Sequence, residues 1–204
     1  MPNGLAEGLT EWFLVIGVLL WGFDAEARLR KLSQVEQAKR RIDEAMVSAP
    51  QDLEVCFSPA DLCDVKLVKL VHSAQKSLDI AIYDINLDQL VHEILIQIKK
   101  IPVRIIVDRR QAQGNHSLVP LLKKAGAEIR YGHQRGIFHN KFTIVDQKML
   151  ETGSFNYTHH AAAANHENQI YLAHPKVVDA YRKQFEQLWN EADPISDEKR
   201  HRSE

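Results

Sequence analysis

The chain has little cysteine: among its 204 residues, Cys56 and Cys63 are the only two. Two cysteines cannot build a disulfide framework of the kind that holds small secreted domains together. A zinc site would need a second Cys/His pair at ligand spacing, and the sequence offers none beside this pair. We therefore expect two partly buried thiols near the start of a domain, and we predict no metal site.

Net charge is also nearly absent, at −1, so nothing global indicates a nucleic-acid or membrane partner. The charges are unevenly distributed. Residues 51–98 hold three Lys against eight Asp/Glu, and residues 99–148 hold eleven Lys/Arg against three Asp/Glu. The second block, with a net charge of +8, is either a solvated surface or a region that attracts the phosphates of nucleic acid or lipid head groups.

A long membrane-spanning run is missing as well. Residues 12–23 carry no charge, but a full span needs about 20 apolar residues. No Lys or Arg precedes this run, which is atypical of a signal peptide, and the basic residues that follow it favour a cytoplasmic catalytic part. We expect residues 1–23 to form an N-terminal hydrophobic membrane anchor. The alternatives are a signal peptide of an exported, periplasmic protein, or a buried or oligomerising helix.

Residues 24–50 have the pattern of an amphipathic linker helix that Pro50 ends. Its apolar positions recur every three or four residues, at Leu29, Leu32, Val35, Ala38, Ile42 and Met46. A domain is predicted over residues 51–194, and a flexible tail over residues 195–204.

Apolar segments of strand and helix type alternate through this domain, with no internal repeat. Strands are predicted at 53–57, 78–83, 103–107, 128–131, 141–145, 150–152 and 169–173, and helices at 62–74, 87–98, 118–124 and 175–190. Strands separated by helices predict an α/β fold with a mixed sheet flanked by helices on both faces, preceded by the apolar helix and the amphipathic helix.

A group of polar residues within thirty positions has the composition of a phosphodiester-cleaving site. It consists of His139, Lys141, Asp146, Ser154, Asn156 and Glu167. Because side chains alternate along a strand, His139 and Lys141 can point to the same face. An imidazole, with an unperturbed pKa of ~6.5, is a nucleophile near neutral pH, and an ammonium stabilises negative charge on phosphate oxygens.

The remaining polar residues complement that pair. The turn Gly153-Ser154-Phe155-Asn156 adds a hydroxyl and an amide that can donate hydrogen bonds to the same oxygens. Glu167 is placed to orient the imidazole by accepting from its second ring nitrogen.

The pattern His139-x-Lys141-x4-Asp146, followed by Gly153-Ser154-x-Asn156, resembles the HKD signature of the phospholipase D superfamily. Over residues 53–194 the chain is similar to members with a single motif, the bacterial Nuc-type endonucleases and the Zucchini-type proteins of the mitochondrial surface. It lacks the extra Cys/His zinc ligands of the Zucchini type. The resemblance implies that His139 attacks phosphorus to form a phosphohistidine, without a metal or other cofactor.

The same resemblance assigns the other roles. Lys141, Ser154 and Asn156 would bind the phosphate, and Glu167 would orient the histidine. Asp146 matches the motif aspartate, which is more often structural than catalytic. Because the chemistry uses two motifs and this chain has one, the resemblance implies a homodimer with its active site at the two-fold interface.

Two substrates remain open for this predicted hydrolase. One is single- or double-stranded nucleic acid, cleaved by an endonuclease; the alternative is membrane phospholipid, hydrolysed by a phospholipase D to phosphatidic acid. A non-catalytic binding protein with an inactive site is a third possibility, against which the intact polar set argues. Residues 108–110 are candidates for substrate contact, and the histidines near the motif (His133, His159, His160 and His166) are weaker ones.

Overall fold

The computed structural model describes residues 53–132 and 136–195. The predictions for the segments 1–23 and 24–50, and for the tail beyond Ile195, lie outside these residues. Within the described ranges, no helix is long and apolar enough to cross a membrane.

Eight strands and six helices make up the described part of the chain. The strands are β1 Leu53–Ser58, β2 Leu78–Ile82, β3 Val103–Val107, β4 Glu128–Tyr131, β5 Lys141–Val145, β6 Met149–Gly153, β7 Glu167–Leu172 and β8 Asp193–Pro194. The helices are α1 Cys63–His72, α2 Asp88–Ile98, α3 Arg109–Ala112, α4 Val119–Ala125, α5 His159–Ala163 and α6 Pro175–Glu191. The three short elements α3, α5 and β8 were not predicted from the sequence.

All eight strands form one mixed sheet in the order β1-β7-β6-β5-β2-β3-β4-β8. β2, β3 and β4 run parallel, and each of the other neighbouring pairs is antiparallel. The carboxyl ends of β1, β2, β3, β4 and β6 therefore lie at the same edge of the sheet as the first residues of β5 and β7. We call this edge the site edge, and the opposite edge the far edge.

Both faces of the sheet are covered by apolar side chains of the flanking helices. On one face, α1, α2 and α4 pack against residues such as Ile80, Ile82 and Ile105. On the other face, α6 contributes Val178, Phe185 and Trp189 to a second cluster. Helices on both faces of a mixed sheet confirm the predicted fold class.

The two cysteines form a disulfide, so the expectation of free thiols is wrong. β1 ends at Ser58, and the turn that follows is closed by a hydrogen bond from the Asp61 amide to the Phe57 carbonyl oxygen, at 2.8 Å. This turn brings the first residue of α1 back beside β1, with the Cα atoms of Cys56 and Cys63 5.7 Å apart. The sequence spacing alone did not reveal this return of the chain.

Ile195 was predicted to begin a disordered tail, but it is attached to the sheet. Its carbonyl oxygen accepts a hydrogen bond from the Lys123 ammonium at 3.0 Å, and its side chain packs against the core. Ile195 is the last residue that the structure describes, and the rest of the predicted tail lies outside the described residues.

Candidate active site

The site edge brings together five of the six polar residues of the motif. His139 and Lys141 lie at the start of β5, Ser154 and Asn156 follow the end of β6, and Glu167 is the first residue of β7. β5, β6 and β7 are consecutive in the sheet, so these residues occupy adjacent strand ends.

Lys141 is buried beside His139. Its ammonium donates a hydrogen bond to the backbone carbonyl oxygen of His139 at 3.1 Å, and it lies 5.3 Å from the centre of the Tyr83 ring. Burial lowers the pKa of Lys141, and the nearby charge of Glu167 opposes that effect. The imidazole of His139 belongs to an exposed residue, so it is open to a substrate.

Ser154 and Glu167 are joined by a short hydrogen bond in which the Ser154 hydroxyl donates to the carboxylate. The other carboxylate oxygen of Glu167 accepts from the Asn165 side chain at 3.0 Å. The hydroxyl oxygen of Ser154 in turn accepts from the backbone amide of Asn168 at 3.1 Å. Ser154 is therefore hydrogen-bonded to the first two residues of β7, Glu167 and Asn168.

These contacts differ from the predicted role of Glu167. In the described residues, the hydrogen bonds of its carboxylate go to Ser154 and Asn165 rather than to the ring of His139. Glu167 lies at the site edge, near the other motif residues. The sequence alone does not show whether its carboxylate contacts the His139 ring or the Ser154 hydroxyl.

Asn156 contributes a buried polar atom to the same region. Its side-chain oxygen is shielded from solvent and has no hydrogen-bond partner in the described part of the chain. Burial of an unpaired polar atom is costly. This oxygen can only accept a hydrogen bond, as can a phosphate oxygen, so the predicted phosphate contact of Asn156 would have to come from its side-chain NH2 group.

Asp146 lies at the far edge, after the last residue of β5, with the length of the strand between it and His139. Its carboxylate accepts hydrogen bonds from the backbone amides of Gln75, Lys76 and Ser77, at 2.6 to 3.1 Å. It holds the turn that leads into β2. This geometry fits the structural role considered for the motif aspartate and removes Asp146 from the candidate catalytic set.

Sequence reasoning missed Tyr83, which follows β2. Its ring makes an edge contact with the His139 ring, with the centroids 4.8 Å apart, and its hydroxyl accepts a hydrogen bond from the Gln111 side chain at 2.8 Å. β2 pairs with β5 so that Ile82 is opposite Lys141, and this register brings Tyr83 to the motif. No short-range signal in the sequence indicates that pairing.

Asp108 was considered for substrate contact, but it is buried, and its carboxylate accepts hydrogen bonds from backbone amides. One of its carboxylate oxygens accepts from the amides of Arg110 and Gln111 at the start of α3. The other accepts from the amide of Phe138 at 3.0 Å, directly before His139. Asp108 therefore ties α3 to the segment that carries the predicted nucleophile.

The basic block of residues 99–148 is divided between the two edges of the sheet. Its lysines at positions 99, 100, 123, 124 and 148 end helices or turns at the far edge. Arg104 is bound to Asp79 and Glu186. Arg130 donates to the Trp189 carbonyl oxygen at 2.7 Å. The described part of the block then leaves Arg109, Arg110 and Lys141 at the site edge, and Arg109 is paired with Asp193. The charge count along the sequence therefore overstates the charge that faces a substrate.

Two of the other histidines near the motif, His159 and His160, lie on α5 rather than at the ends of β5, β6 and β7. His159 and His160 line a separate cleft of about 410 Å³, together with Asp84, Asp88 and His116. His159 is hydrogen-bonded to Asp88 at 2.9 Å. No set of three or more His, Cys, Asp and Glu residues within 53–132 and 136–195 is arranged to hold a metal ion. His133 lies outside the described residues.

Comparison with known proteins agrees with the geometry. Residues 67–189, more than half of the chain, match the family described as "Cardiolipin synthase, PLD-like domain". The chain belongs to this phospholipase D-like family.

Relatives with curated names are similar over the same region. Mitochondrial cardiolipin hydrolase of Chlamydomonas reinhardtii is 33% identical over 141 residues, which cover 69% of this chain and 62% of that protein. Phospholipase D of Rickettsia prowazekii is 32% identical over 132 residues, covering 64% of each. The chain thus spans about three fifths of the length of these relatives.

Solved structures share the fold. Nuc of Salmonella typhimurium, a phospholipase D family member, superposes with a TM-score of 0.66 at 26% identity, covering 70% of this chain and 97% of Nuc. NucT of Helicobacter pylori, at 21% identity and a TM-score of 0.65, covers 70% of this chain and 98% of its own. The second likeness supports the fold alone.

Proposed function

We propose that this chain is a metal-independent phosphodiesterase that cleaves nucleic acid as an endonuclease, through a phosphohistidine intermediate on His139. The observation that carries the proposal is that the exposed His139 and the buried Lys141 lie together at the start of β5. The Lys141 ammonium donates to the His139 carbonyl oxygen, and both side chains approach the Tyr83 ring. Ser154 and Asn156 stand on the adjacent strand end. The likeness to Nuc supports nucleic acid as the substrate.

In the proposed first step, a ring nitrogen of His139 attacks phosphorus, and the bond from phosphorus to the leaving alcohol oxygen breaks. The partner subunit's His139 gives its proton to that oxygen. In the second step, the partner's His139 takes a proton from water, which attacks phosphorus and releases His139. Lys141 stabilises the negative charge of the phosphate oxygens, and its burial strengthens that interaction because little water screens it.

Phosphate binding by Ser154 would break its hydrogen bond to Glu167. The Ser154 hydroxyl has one proton, which is directed at Glu167. To donate to a phosphate oxygen, the hydroxyl must turn away from the carboxylate. That movement would let Glu167 accept instead from the second ring N–H of the neutral His139 imidazole, which is the orienting role proposed from the sequence.

A homodimer is part of the proposal, because the chain carries one motif and the mechanism needs two histidines. The surface beside the site is suited to self-association. Phe57, which is 55% exposed, is paired across the strands with Asn168, and Asn168 contacts Ser154. Leu53 and Val55 continue this exposed apolar stripe along β1. Burial of such a stripe against a second copy would stabilise the dimer.

Subunit mixing tests the shared site. When wild-type protein is re-associated with a growing excess of His139→Ala protein, the activity per wild-type subunit should fall in proportion to the wild-type fraction. A mixed dimer contains one histidine where two are needed. Oligonucleotide cleavage after mixing and after separate incubation gives the comparison. Unchanged activity per wild-type subunit would show that each subunit works alone.

Phospholipid hydrolysis is the second candidate. It is favoured by relatives named mitochondrial cardiolipin hydrolase and phospholipase D. Membrane association through residues 1–23 remains a prediction that suits both candidates, since an anchored enzyme can act on lipid or on nucleic acid near a membrane.

The two candidates are separated by supplying both substrates to the same preparation. Full-length protein in excess EDTA is incubated with a single-stranded oligonucleotide and, in parallel, with vesicles that contain cardiolipin. We expect the oligonucleotide to be cut, and the cleavage to weaken as the salt concentration rises. Release of phosphatidic acid from the vesicles without oligonucleotide cleavage would replace the nuclease by the phospholipase. Inactivity on both substrates would contradict the proposed reaction.

A further inference from the structure

The segment that carries His139 is held from one side by α3. Asp108, the residue that caps this helix, accepts from the amide of Phe138 at 3.0 Å. Gln111, within the helix, donates to the Tyr83 hydroxyl at 2.8 Å. One short helix therefore fixes both the backbone before His139 and the aromatic ring beside it.

The Tyr83 ring contacts both chemically important side chains. Its centroid lies 4.8 Å from that of the His139 ring at an interplanar angle of 65°, which is an edge-to-face arrangement. The same ring has the Lys141 ammonium at 5.3 Å from its centroid, within the range of a cation–π contact. His139 is exposed, and the edge contact with Tyr83 favours the ring rotamer that makes this contact.

We propose that Tyr83, anchored by Gln111, is a positioning residue that fixes the imidazole of His139 for attack and retains the ammonium of Lys141 beside it. This inference rests on the proposed phosphodiesterase activity. Tyr83 touches the predicted nucleophile rather than the reacting phosphate, so its effect is on the geometry of the attack. Errors of about 1 Å in the placement of a reacting group can cost ~100-fold in rate.

The kinetic test uses full-length Tyr83→Leu and Tyr83→Phe, with a single-stranded oligonucleotide as substrate. Leucine removes the ring, and we expect kcat to fall by about 100-fold while KM changes by less than about threefold. Phenylalanine loses only the hydrogen bond to Gln111 and keeps the ring that makes both contacts. For that reason kcat should stay within about fivefold of wild type. A Tyr83→Leu enzyme with the wild-type kcat, or a phenylalanine variant as impaired as the leucine variant, would overturn the proposal.

Tyr131→Leu is the matched control. Tyr131 ends β4 at the same edge and also has a cation over its ring, the Arg109 guanidinium at 4.5 Å, but it lies three strands away from β5. We expect its kcat to be near that of wild type. An equal loss in both leucine variants would indicate a general loss of structure at the edge and would contradict a specific role of Tyr83.

A second measurement does not depend on activity. In full-length protein with labelled histidine, the ring signal of His139 is identified by its loss in His139→Ala. We expect this signal to shift in Tyr83→Leu and to remain near its wild-type position in Tyr83→Phe. An unmoved signal in Tyr83→Leu would refute the contact even if no diester were cleaved. A shifted signal in an inactive protein would retain the contact and reject the proposed function.

Discussion

His139→Ala is expected to abolish turnover, with a loss of at least roughly 10⁴-fold in kcat, while the domain stays folded. Removal of a nucleophile eliminates the covalent route, and the remaining groups can only bind and polarise the substrate. The folded state should tolerate the change because His139 is exposed, and the ring makes no contribution to either apolar cluster. Oligonucleotide cleavage in excess EDTA and the thermal unfolding midpoint are the two measurements.

His174→Ala is the matched control for this prediction. His174 is another exposed histidine, at the far edge before α6, and its side chain makes no capping hydrogen bond to that helix. The control should retain full activity and stability. Activity of His139→Ala within tenfold of wild type would contradict the assignment of the nucleophile.

Much of the fold was predictable because the strands are short, apolar and bounded by polar residues. β3, β4 and β5 have the predicted bounds of 103–107, 128–131 and 141–145. All five residues of β5 are buried, so the hydrophobic pattern that predicted a strand also fixed its place in the middle of the sheet. α4 ends at Ala125, close to the predicted end at residue 124, and Gly126 follows it in the left-handed conformation with φ of 111°.

The candidate site was predictable where its residues are close in sequence. His139 and Lys141 share one strand start, and Ser154 and Asn156 share one turn, so their spacing carries the information. Tyr83 and Asp108 are different, because they reach His139 through the pairing of β2 with β5 and β3. Register between strands distant in sequence depends on the whole sheet, and no local pattern encodes it.

Two further features could not be predicted for a related reason. The charge of residues 99–148 was summed along the chain, but the ends of α2 and α4 and the turn between β5 and β6 place the lysines at the far edge. Arg110 and Lys141 lie at the site edge. Cys56 and Cys63 were considered as separate thiols, whereas the turn between β1 and α1 brings them together. In both cases the residues can be read from the sequence, but the turns between strands and helices determine which of these residues lie close together.

Gly153→Ala is expected to impair both stability and activity, because this position has no room for a side chain. Gly153 ends β6 opposite Gln169 of β7. A Cβ atom there would overlap the carbonyl oxygen of Asn168 and lie 2.9 Å from its carbon. That carbonyl oxygen also accepts the backbone amide of Ser154 at 3.1 Å. The clash is with backbone, which cannot move aside without opening β6 from β7.

We therefore expect Gly153→Ala to lower the free energy of unfolding by about 3 kcal/mol, the upper part of the usual range for overpacking. Separation of the two strands also pulls Ser154 away from Glu167, so kcat should fall by about 100-fold at temperatures where the variant remains folded. Chemical denaturation and oligonucleotide cleavage measure the two effects independently.

Gly126→Ala separates the local effect from a general one. Gly126 has φ of 111°, so alanine is strained there, but the nearest atom to an added Cβ is a flexible Ile98 methyl group at 3.6 Å. It lies at the far edge, and we expect a loss of about 1 kcal/mol in stability with unchanged kcat. If Gly153→Ala behaved like this control and kept its kcat, the close approach of β6 and β7 would not be what aligns Ser154 with Glu167. Phosphate binding would then be assigned to Asn156 and Lys141 rather than to Ser154.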